Sequence, residues 1–375
     1  MPSNGSLLIV AASERDANLY YATGFIAPDP FVFIQIKKRK YLLMSDLEVD
    51  RARSESKVDQ VLSISRLAQD YKKRKGERPR FVDLIVDFLE RNKVSEVLVP
   101  GDFPLLYADA LRVRKIRLSV RQDPFFESRT IKTAAEVRAI ESALRHTEAA
   151  CKVACETIAR SQIRKGKLFY KGRALTSESI KQMINVALME KNCVAQHTII
   201  APGVQAVDPH NQGSGPLRPN EPIVMDIFPQ SVQSRYYADL SRTVVRGKAS
   251  PKVKKMFKAV LEGQHIAFKM IRQGADGGVI HQKIQNRFEE LGFKTGEMNG
   301  RMQGFFHGTG HGVGLEIHEP PRISAVKDIL KAGQVVTVEP GLYYVDSGGI
   351  RLEDMVLVTK TDCRILNRLP KVLEL

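Results

Sequence analysis

The sequence predicts an α+β protein of two domains, an N-terminal α/β domain over residues 1–127 and a C-terminal domain of mixed helices and strands over residues 128–375. Three observations lead there. A chain of 375 residues is long for one core of ordinary size. Its first 127 residues alternate short apolar runs with helical patterns and close before the next segment begins. From Thr133 the apolar period lengthens to that of a long amphipathic helix, after which helices and strands mix.

In the first part, Leu7 to Ala11, Phe31 to Ile36, Tyr41 to Met44 and Glu96 to Val99 are the expected strands, and Phe81 to Arg91 is helical. Glu127 to Lys132 is the expected linker. Over Thr133 to about Arg160, apolar Val137, Ile140, Leu144, Val153 and Ile158 recur at helical spacing. Ser250 followed by Pro251 offers a capping hydroxyl and then the residue that best tolerates the first helical position, so a helix is expected over Lys252 to Arg272. Strands are expected at Thr198 to Ala201, Pro222 to Phe228, Thr243 to Arg246, Gly333 to Glu339, Leu342 to Val345, Gly349 to Glu353 and Met355 to Thr359. No low-complexity tract or short-period repeat interrupts them.

Composition narrows the function classes. With 43% hydrophobic and 27% charged residues and no run of 18 apolar residues, neither a membrane span nor a disordered chain fits. Met1 to Ser6 shows no basic start leading into an apolar stretch, so no secretory signal is read and a cytoplasmic location is expected. Cys151, Cys155, Cys193 and Cys363 are too few and too scattered for a disulfide framework; Cys151 and Cys155, four apart in a helix, read as two small buried residues on one face. The net charge of +16 raises the question of a polyanionic partner. Its dense clusters are Lys37 to Lys40, Lys72 to Lys75 and Arg112 to Arg121. The first reads as a hairpin tip and the second as a loop punctuated by Gly and Pro. No aromatic residues interleave with these charges as stacking platforms, so no nucleic-acid partner is expected.

Four segments place carboxylates in apolar surroundings, where an isolated ionised group is costly. They are Asp226 in Ile223-Val224-Met225-Asp226-Ile227-Phe228, Asp239 at the entry to Leu240-Ser241-Arg242-Thr243, Glu339 after Val336-Thr337-Val338, and Glu353 after Ile350-Arg351-Leu352. Asp354 is read as the partner of an arginine. Four buried carboxylates of like charge repel, and two divalent cations would neutralise them. A fifth segment, His307-Gly308-Thr309-Gly310-His311-Gly312-Val313-Gly314-Leu315-Glu316-Ile317-His318, packs three of the chain's 8 histidines among glycines that permit close backbone approach. Imidazole completes a metal site, and a further imidazole can move protons near pH 7. Oxygen-rich ligation with one imidazole suits Mn²⁺, Co²⁺ or Fe²⁺ better than a tetrahedral structural zinc.

These segments resemble the pita-bread metallopeptidase family that includes aminopeptidase P, prolidase and methionine aminopeptidase. Asp226, Asp239, His311, Glu339 and Glu353 match that family's five metal ligands in order, with the expected spacing of fourteen between the glutamates. One departure is visible. Asp226 and Asp239 are thirteen residues apart where eleven is common, an excess that a hairpin connection absorbs without changing how either strand end faces. Asp16-Ala17-Asn18-Leu19-Tyr20-Tyr21-Ala22-Thr23-Gly24-Phe25 resembles the start of the extra creatinase/prolidase-like domain of the proline-directed members, which methionine aminopeptidases lack. Arg129 to Ile140, with Lys132 and Glu136, looks like the link into their catalytic half.

The resemblance implies a pita-bread catalytic domain that hydrolyses the peptide bond preceding proline, as an Xaa-Pro dipeptidase or Xaa-Pro aminopeptidase, by a hydroxide bridging two divalent metals. Asp239 and Glu353 would bridge, Asp226 would hold one ion, and His311 with Glu339 the other. Mn²⁺ is the expected ion, with Co²⁺, Fe²⁺ or Zn²⁺ as alternatives. His307, His318 and His210 match the histidines that handle protons and polarise substrate, and Glu339 would shuttle the proton to the leaving nitrogen. Arg351 is expected to orient the glutamate ligands and to bind substrate, and Arg322 to meet a dipeptide's terminal carboxylate. The implied partners are a peptide with proline at the second position and a second copy in a homodimer. The competing readings are another C–N hydrolase of the same fold, creatinase-like or ectoine-hydrolase-like, and a non-catalytic binding module. Creatinase lacks the full ligand set and binding modules lose ligands, whereas all five stand here.

Overall fold

In the computed structural model, which describes residues 5–375, the chain divides after Glu127 into two units. The first is built on one six-stranded mixed sheet. Its strands lie in the order Gln60–Ser63, Arg39–Met44, Phe31–Ile36, Ser6–Ala11, Glu96–Pro100 and Arg117–Arg121. The central strand Ser6–Ala11 is apolar on both sides because both of its faces are covered. The two-residue period sends Leu8 and Val10 into a core with Ile85 and Leu89 of helix Phe81–Arg91, and Ile9 into an opposite core with Leu19, Phe25 and Phe33.

The basic clusters are accounted for locally. Lys37 and Lys38 form the turn between Phe31–Ile36 and Arg39–Met44, whose register pairs Ile36 with Arg39. Lys72 to Lys75, expected as a loop, are instead the last turn of helix Ile64–Lys75, which Gly76 ends in the left-handed region at φ 79°. Cations there face the negative end of the helix dipole, and Arg74 forks onto Asp87 at 2.9 and 2.6 Å. Arg117–Arg121 is the edge strand of the sheet, where charged side chains discourage pairing with another chain.

The second unit, Ser128–Leu375, carries two helix pairs. Ala134–Ala159 and Ser177–Met189 cover the three-stranded sheet Ile199–Pro202, Ile223–Ile227 and Leu240–Val244, sharing a core with Ile223, Met225, Leu240 and Val244. Pro251–Met270 and Gly277–Glu290 share another core with Val336 and Val338 of strand Val335–Val338 and with Ile350, Leu352 and Val356. The Ser250 hydroxyl accepts from Val253 N, capping the third of these helices as its sequence suggests. All four cysteines are free, and Cys151 is buried. Among the described residues no helix is long and apolar enough to cross a membrane.

Two expected elements move. The strand expected at Thr243 to Arg246 is Leu240–Val244, because pairing with Ile223–Ile227 sets Leu240 opposite Ile227 and Ser241 opposite Asp226. The segment expected as a linker is folded: Glu127–Thr130 is a 3₁₀ turn, and Arg129, Thr130 and Lys132 are buried.

One glycine is fixed by packing. A Cβ on Gly310 would lie 2.0 Å from the carbonyl oxygen of Thr337 on the neighbouring strand. Gly310→Ala is therefore expected to cost about 3 kcal/mol, the upper end of overpacking penalties. Urea unfolding of the metal-free protein measures it, and a loss under about 1 kcal/mol contradicts this packing.

Candidate metal centre

The same alternation that buries the apolar residues aims their neighbours the other way. Ile223, Met225 and Ile227 enter the helical core, and Asp226 turns from it into a cavity of about 630 Å³. Ile350 and Leu352 enter the other core, and Arg351 and Glu353 line the cavity. Glu339 follows Val338 out of its strand, and Asp239 precedes Leu240 into its own. His311 comes from the short strand Gly310–Gly312, paired to Glu319–Ile323 on one side and Val335–Val338 on the other. All ten candidate site residues line this one cavity: the five expected ligands, His210, His307, His318, Arg322 and Arg351.

All five expected ligands line this cavity, and three of them meet. One ligand atom each from Asp239, His311 and Glu353 lies within 4.8 Å of the others. His311 Nε2 is 3.3 Å from Glu339 Oε1 and 3.8 Å from Asp239 Oδ2. Its Nδ1 lies 3.1 Å from the Gly312 carbonyl, which only accepts, so Nδ1 carries a proton and the ring turns Nε2 toward two carboxylates. Buried Asp226 Oδ1 and Asp239 Oδ1 have no hydrogen-bond partner. Carboxylates crowded on one imidazole nitrogen, with two carboxylate oxygens orphaned, fit bound cations.

The electrostatics agree. Burial, then the charges of Asp226 and Glu339, holds the Asp239 carboxyl well above the ordinary range. Burial, then Asp239, does the same to Glu353. Burial also raises Asp226, against the opposing charge of Arg351. For Glu339 burial is outweighed by its hydrogen bond to His311 and nearby positive charge, which hold it down to about 2. Without cations the folded site cannot ionise all four carboxylates easily.

Arg351, expected to orient the glutamates and to bind substrate, holds an aspartate most directly. Its Nη2 donates to Asp226 Oδ2 at 2.7 Å, and its Nε donates to Ser241 Oγ at 3.1 Å. Ser241 in turn donates to Glu353 Oε2 at 2.9 Å. The guanidinium thus holds an aspartate directly and one glutamate through a hydroxyl, and the residue is buried at 3% exposure. Its Nη1 donates to the hydroxyl of Tyr343, a residue the sequence reading passed over. Tyr343 is fully buried, and burial pushes its hydroxyl up to about 12, so it stays a donor. It donates to His307 Nε2 at 2.8 Å, and His307 Nδ1 donates to the Gly308 carbonyl at 2.8 Å. Both nitrogens of His307 are engaged, and burial lowers its pKa to about 4. A signal for Tyr343 existed: a tyrosine in a buried strand needs a polar partner.

The remaining residues line the wall. His318 stacks edge-on to His311 with ring centroids 4.4 Å apart, and burial, then His311, lowers its pKa to about 4. His210 and Arg322 are exposed side chains of the cavity lining. Asp354 sits outside the cavity and pairs with Arg242 at 2.9 Å, as its reading as an ion-pair partner anticipates.

Residues 139–360, more than half of the chain, match Metallopeptidase family M24. The chain belongs to that family. Residues 6–95 match the Creatinase/Prolidase N-terminal domain, so this M24 member carries the N-terminal domain of the prolidase branch. The Xaa-Pro dipeptidase of Pyrococcus horikoshii is 28% identical over 359 residues, covering 94% of this chain and 91% of that protein. The crystal structure of the prolidase from Pyrococcus horikoshii superposes with a TM-score of 0.78 at 25% identity, over 99% of this chain and 96% of the other. The X-Pro aminopeptidase from Thermotoga maritima shares the fold with a TM-score of 0.81 at 24% identity, over 99% and 98% of the two chains.

Proposed function

We propose that this M24 metallopeptidase hydrolyses the peptide bond preceding proline in short peptides. In this reading residues 1–127 are the creatinase/prolidase-like domain and residues 128–375 the catalytic domain, with Asp226, Asp239, His311, Glu339 and Glu353 holding two divalent cations. The observation that carries it is the convergence of four carboxylates and one imidazole on a single cavity, with two buried carboxylate oxygens lacking any hydrogen-bond partner. The names of the two Xaa-Pro relatives supply the substrate class.

When bound, the cations supply water activated near neutral pH and Lewis acidity toward the scissile carbonyl. The chain's own groups do the rest. Arg351 fixes Asp226, Ser241 fixes Glu353, and the Gly312 carbonyl fixes the His311 ring. Glu339, ionised at neutral pH, accepts the proton of the attacking water and delivers it to the prolyl nitrogen, which leaves as a secondary amine and needs that proton. His318 is neutral at pH 7 and donates a hydrogen bond to the developing oxyanion. His210 closes the open side of the cavity over the peptide, and Arg322 meets the carboxylate of a bound dipeptide. Mn²⁺ is the working ion, a homodimer the working assembly and the cytoplasm the location in this reading.

Assays of protein loaded with Mn²⁺ or Co²⁺ on Xaa-Pro dipeptides and Xaa-Pro-Yaa tripeptides test the proposal. Cleavage of dipeptides alone makes it a dipeptidase, cleavage of both an aminopeptidase, and cleavage of neither with metal bound sinks it. Arg322→Ala is expected to raise KM for dipeptides about tenfold, the loss of one charged hydrogen bond, and to leave KM for tripeptides within about twofold. Equal effects on both substrates remove Arg322 from carboxylate recognition.

A further inference from the structure

The residues that open the catalytic unit carry charge into its interior. The side chains of Lys132 and Arg129 are each 1% exposed, and the Glu319 carboxylate between them is fully buried. Lys132 Nζ donates to Glu319 Oε1, and Arg129 Nε lies 3.6 Å from Glu319 Oε2, an ion pair without a hydrogen bond to that oxygen. Arg129 also bonds Glu316, and the backbone N–H of Lys132 donates to the Gly333 carbonyl at 2.8 Å. Lys132 and Glu319 are 187 residues apart in sequence.

Glu319 immediately follows His318. Its carboxylate does not sit beside the turn that carries this histidine; it fills the turn. A Cβ on Gly314 would lie 2.7 Å from both Glu319 oxygens, so the backbone from Val313 to His318 closes directly around the charged group. The register slips between His311 and Gly312 where this turn leaves the strand pair, and Gly312 then faces Glu319. The His318 ring touches the His311 ring and, among the described residues, makes no hydrogen bond of its own. Its place is therefore set by the backbone on either side.

We propose that Lys132 and Arg129 are positioning residues for His318, acting through the Glu319 carboxylate that staples the turn from inside. Burying these charges costs desolvation that an apolar trio of equal volume would avoid. Apolar contacts can slide, whereas a carboxylate hydrogen-bonded by a buried ammonium, with the charge of a guanidinium beside its other oxygen, has a directional minimum. The gain is a fixed orientation for an imidazole that otherwise has none. The role in turnover rests on the peptidase reading above; the geometric role does not.

A double-mutant cycle on the full, metal-loaded chain tests this, using an Xaa-Pro dipeptide and Lys132→Met with and without His318→Ala. Lys132→Met is expected to lower kcat/KM at least about tenfold with His318 present, as a misplaced group does. With His318→Ala the same change should cost less than about twofold, and metal stoichiometry should stay unchanged in both. Equal losses in the two backgrounds, or no loss in either, overturn the proposal. If Lys132→Met does not fold, Glu319→Gln, which keeps an acceptor for Lys132 while removing the charge, enters the same cycle with the same criteria. A second readout needs no turnover. In protein labelled with ¹³C-histidine, the His318 ring resonance, identified by its loss in His318→Ala, should shift in Lys132→Met or Glu319→Gln; an unmoved resonance overturns the proposal. Wild-type protein that cleaves no Xaa-Pro peptide fails the peptidase reading, and the resonance then decides the positioning role.

Discussion

Asp239→Asn abolishes stoichiometric divalent-metal binding and at the same time raises the melting temperature of the metal-free protein. Both halves follow from one fact: the folded site holds more negative charge than it can neutralise. Burial and the neighbouring carboxylates push Asp239 and Glu353 well above their ordinary values of 3.8 and 4.5. Asparagine keeps the shape, removes one charge and cannot ligate as a carboxylate. Wild-type protein at a metal concentration one hundred times Kd gains about 2.7 kcal/mol, or about 5–10 °C for a unit of this size, and the variant gains nothing. Calorimetric titration and thermal melts with and without Mn²⁺ read the two effects. A variant that still binds two ions, or whose metal-free form melts below wild type, contradicts the assignment.

The same carboxylates give a pH dependence of defined sign. A folded pKa raised above its unfolded value means that the native state binds more protons than the unfolded state within the window between them. Stability from Asp239 and Glu353 is therefore lost as pH rises from 3.8 and 4.5 through their raised values. Glu339 runs the other way: held down to about 2, its contribution is present above 4.5 and is lost as pH falls toward 2. Metal binding needs the deprotonated groups, so affinity tightens across the window in which the metal-free protein weakens. The melting-temperature difference between Asp239→Asn and wild type, both metal-free, should widen from pH 4.5 to pH 7.5. A difference that narrows over that range would show that Asp239 is not held protonated.

Arg351→Met carries the second large effect. Its guanidinium serves Asp226, Ser241 and Tyr343 at 2.7, 3.1 and 3.1 Å, and its removal strands a buried carboxylate whose other oxygen already lacks a partner. Breaking a buried pair from one side costs about 3–5 kcal/mol. Urea unfolding of the metal-free protein should show that loss. Arg351→Lys should recover little of it, because one ammonium on a flexible stem cannot meet three acceptors in different directions. Metal affinity should fall by about 10–100-fold, the usual cost of losing a group that orients a ligand. A loss below about 1 kcal/mol, or full rescue by lysine, contradicts the fork geometry.

Much of this site was legible before the fold. Carboxylates at Asp226, Glu339 and Glu353 stand out because each interrupts or ends an apolar strand, where an unpaired charge is costly. Strand parity then says that the residue beside a buried one faces the other way, which is how Ile350 and Leu352 reach the core while Arg351 and Glu353 reach the cavity. Helix Phe81–Arg91 and the hairpin tip at Lys37 and Lys38 were equally readable, since apolar period and turn chemistry are local. The Lys72 to Lys75 cluster was misread as a loop because charge density says nothing about whether the backbone beneath it is helical.

By itself the sequence determined which side chains had to be neutralised, because ionisation, burial and alternation are properties of short segments. The tertiary structure alone decided what neutralises them and what holds them still. That Arg351 serves Asp226 rather than the glutamates directly, that Tyr343 and His307 are bound to each other, and that Lys132 reaches Glu319 across 187 residues are matters of distance in space. No local pattern encodes them, since each depends on how strands and loops far apart in the chain are packed together.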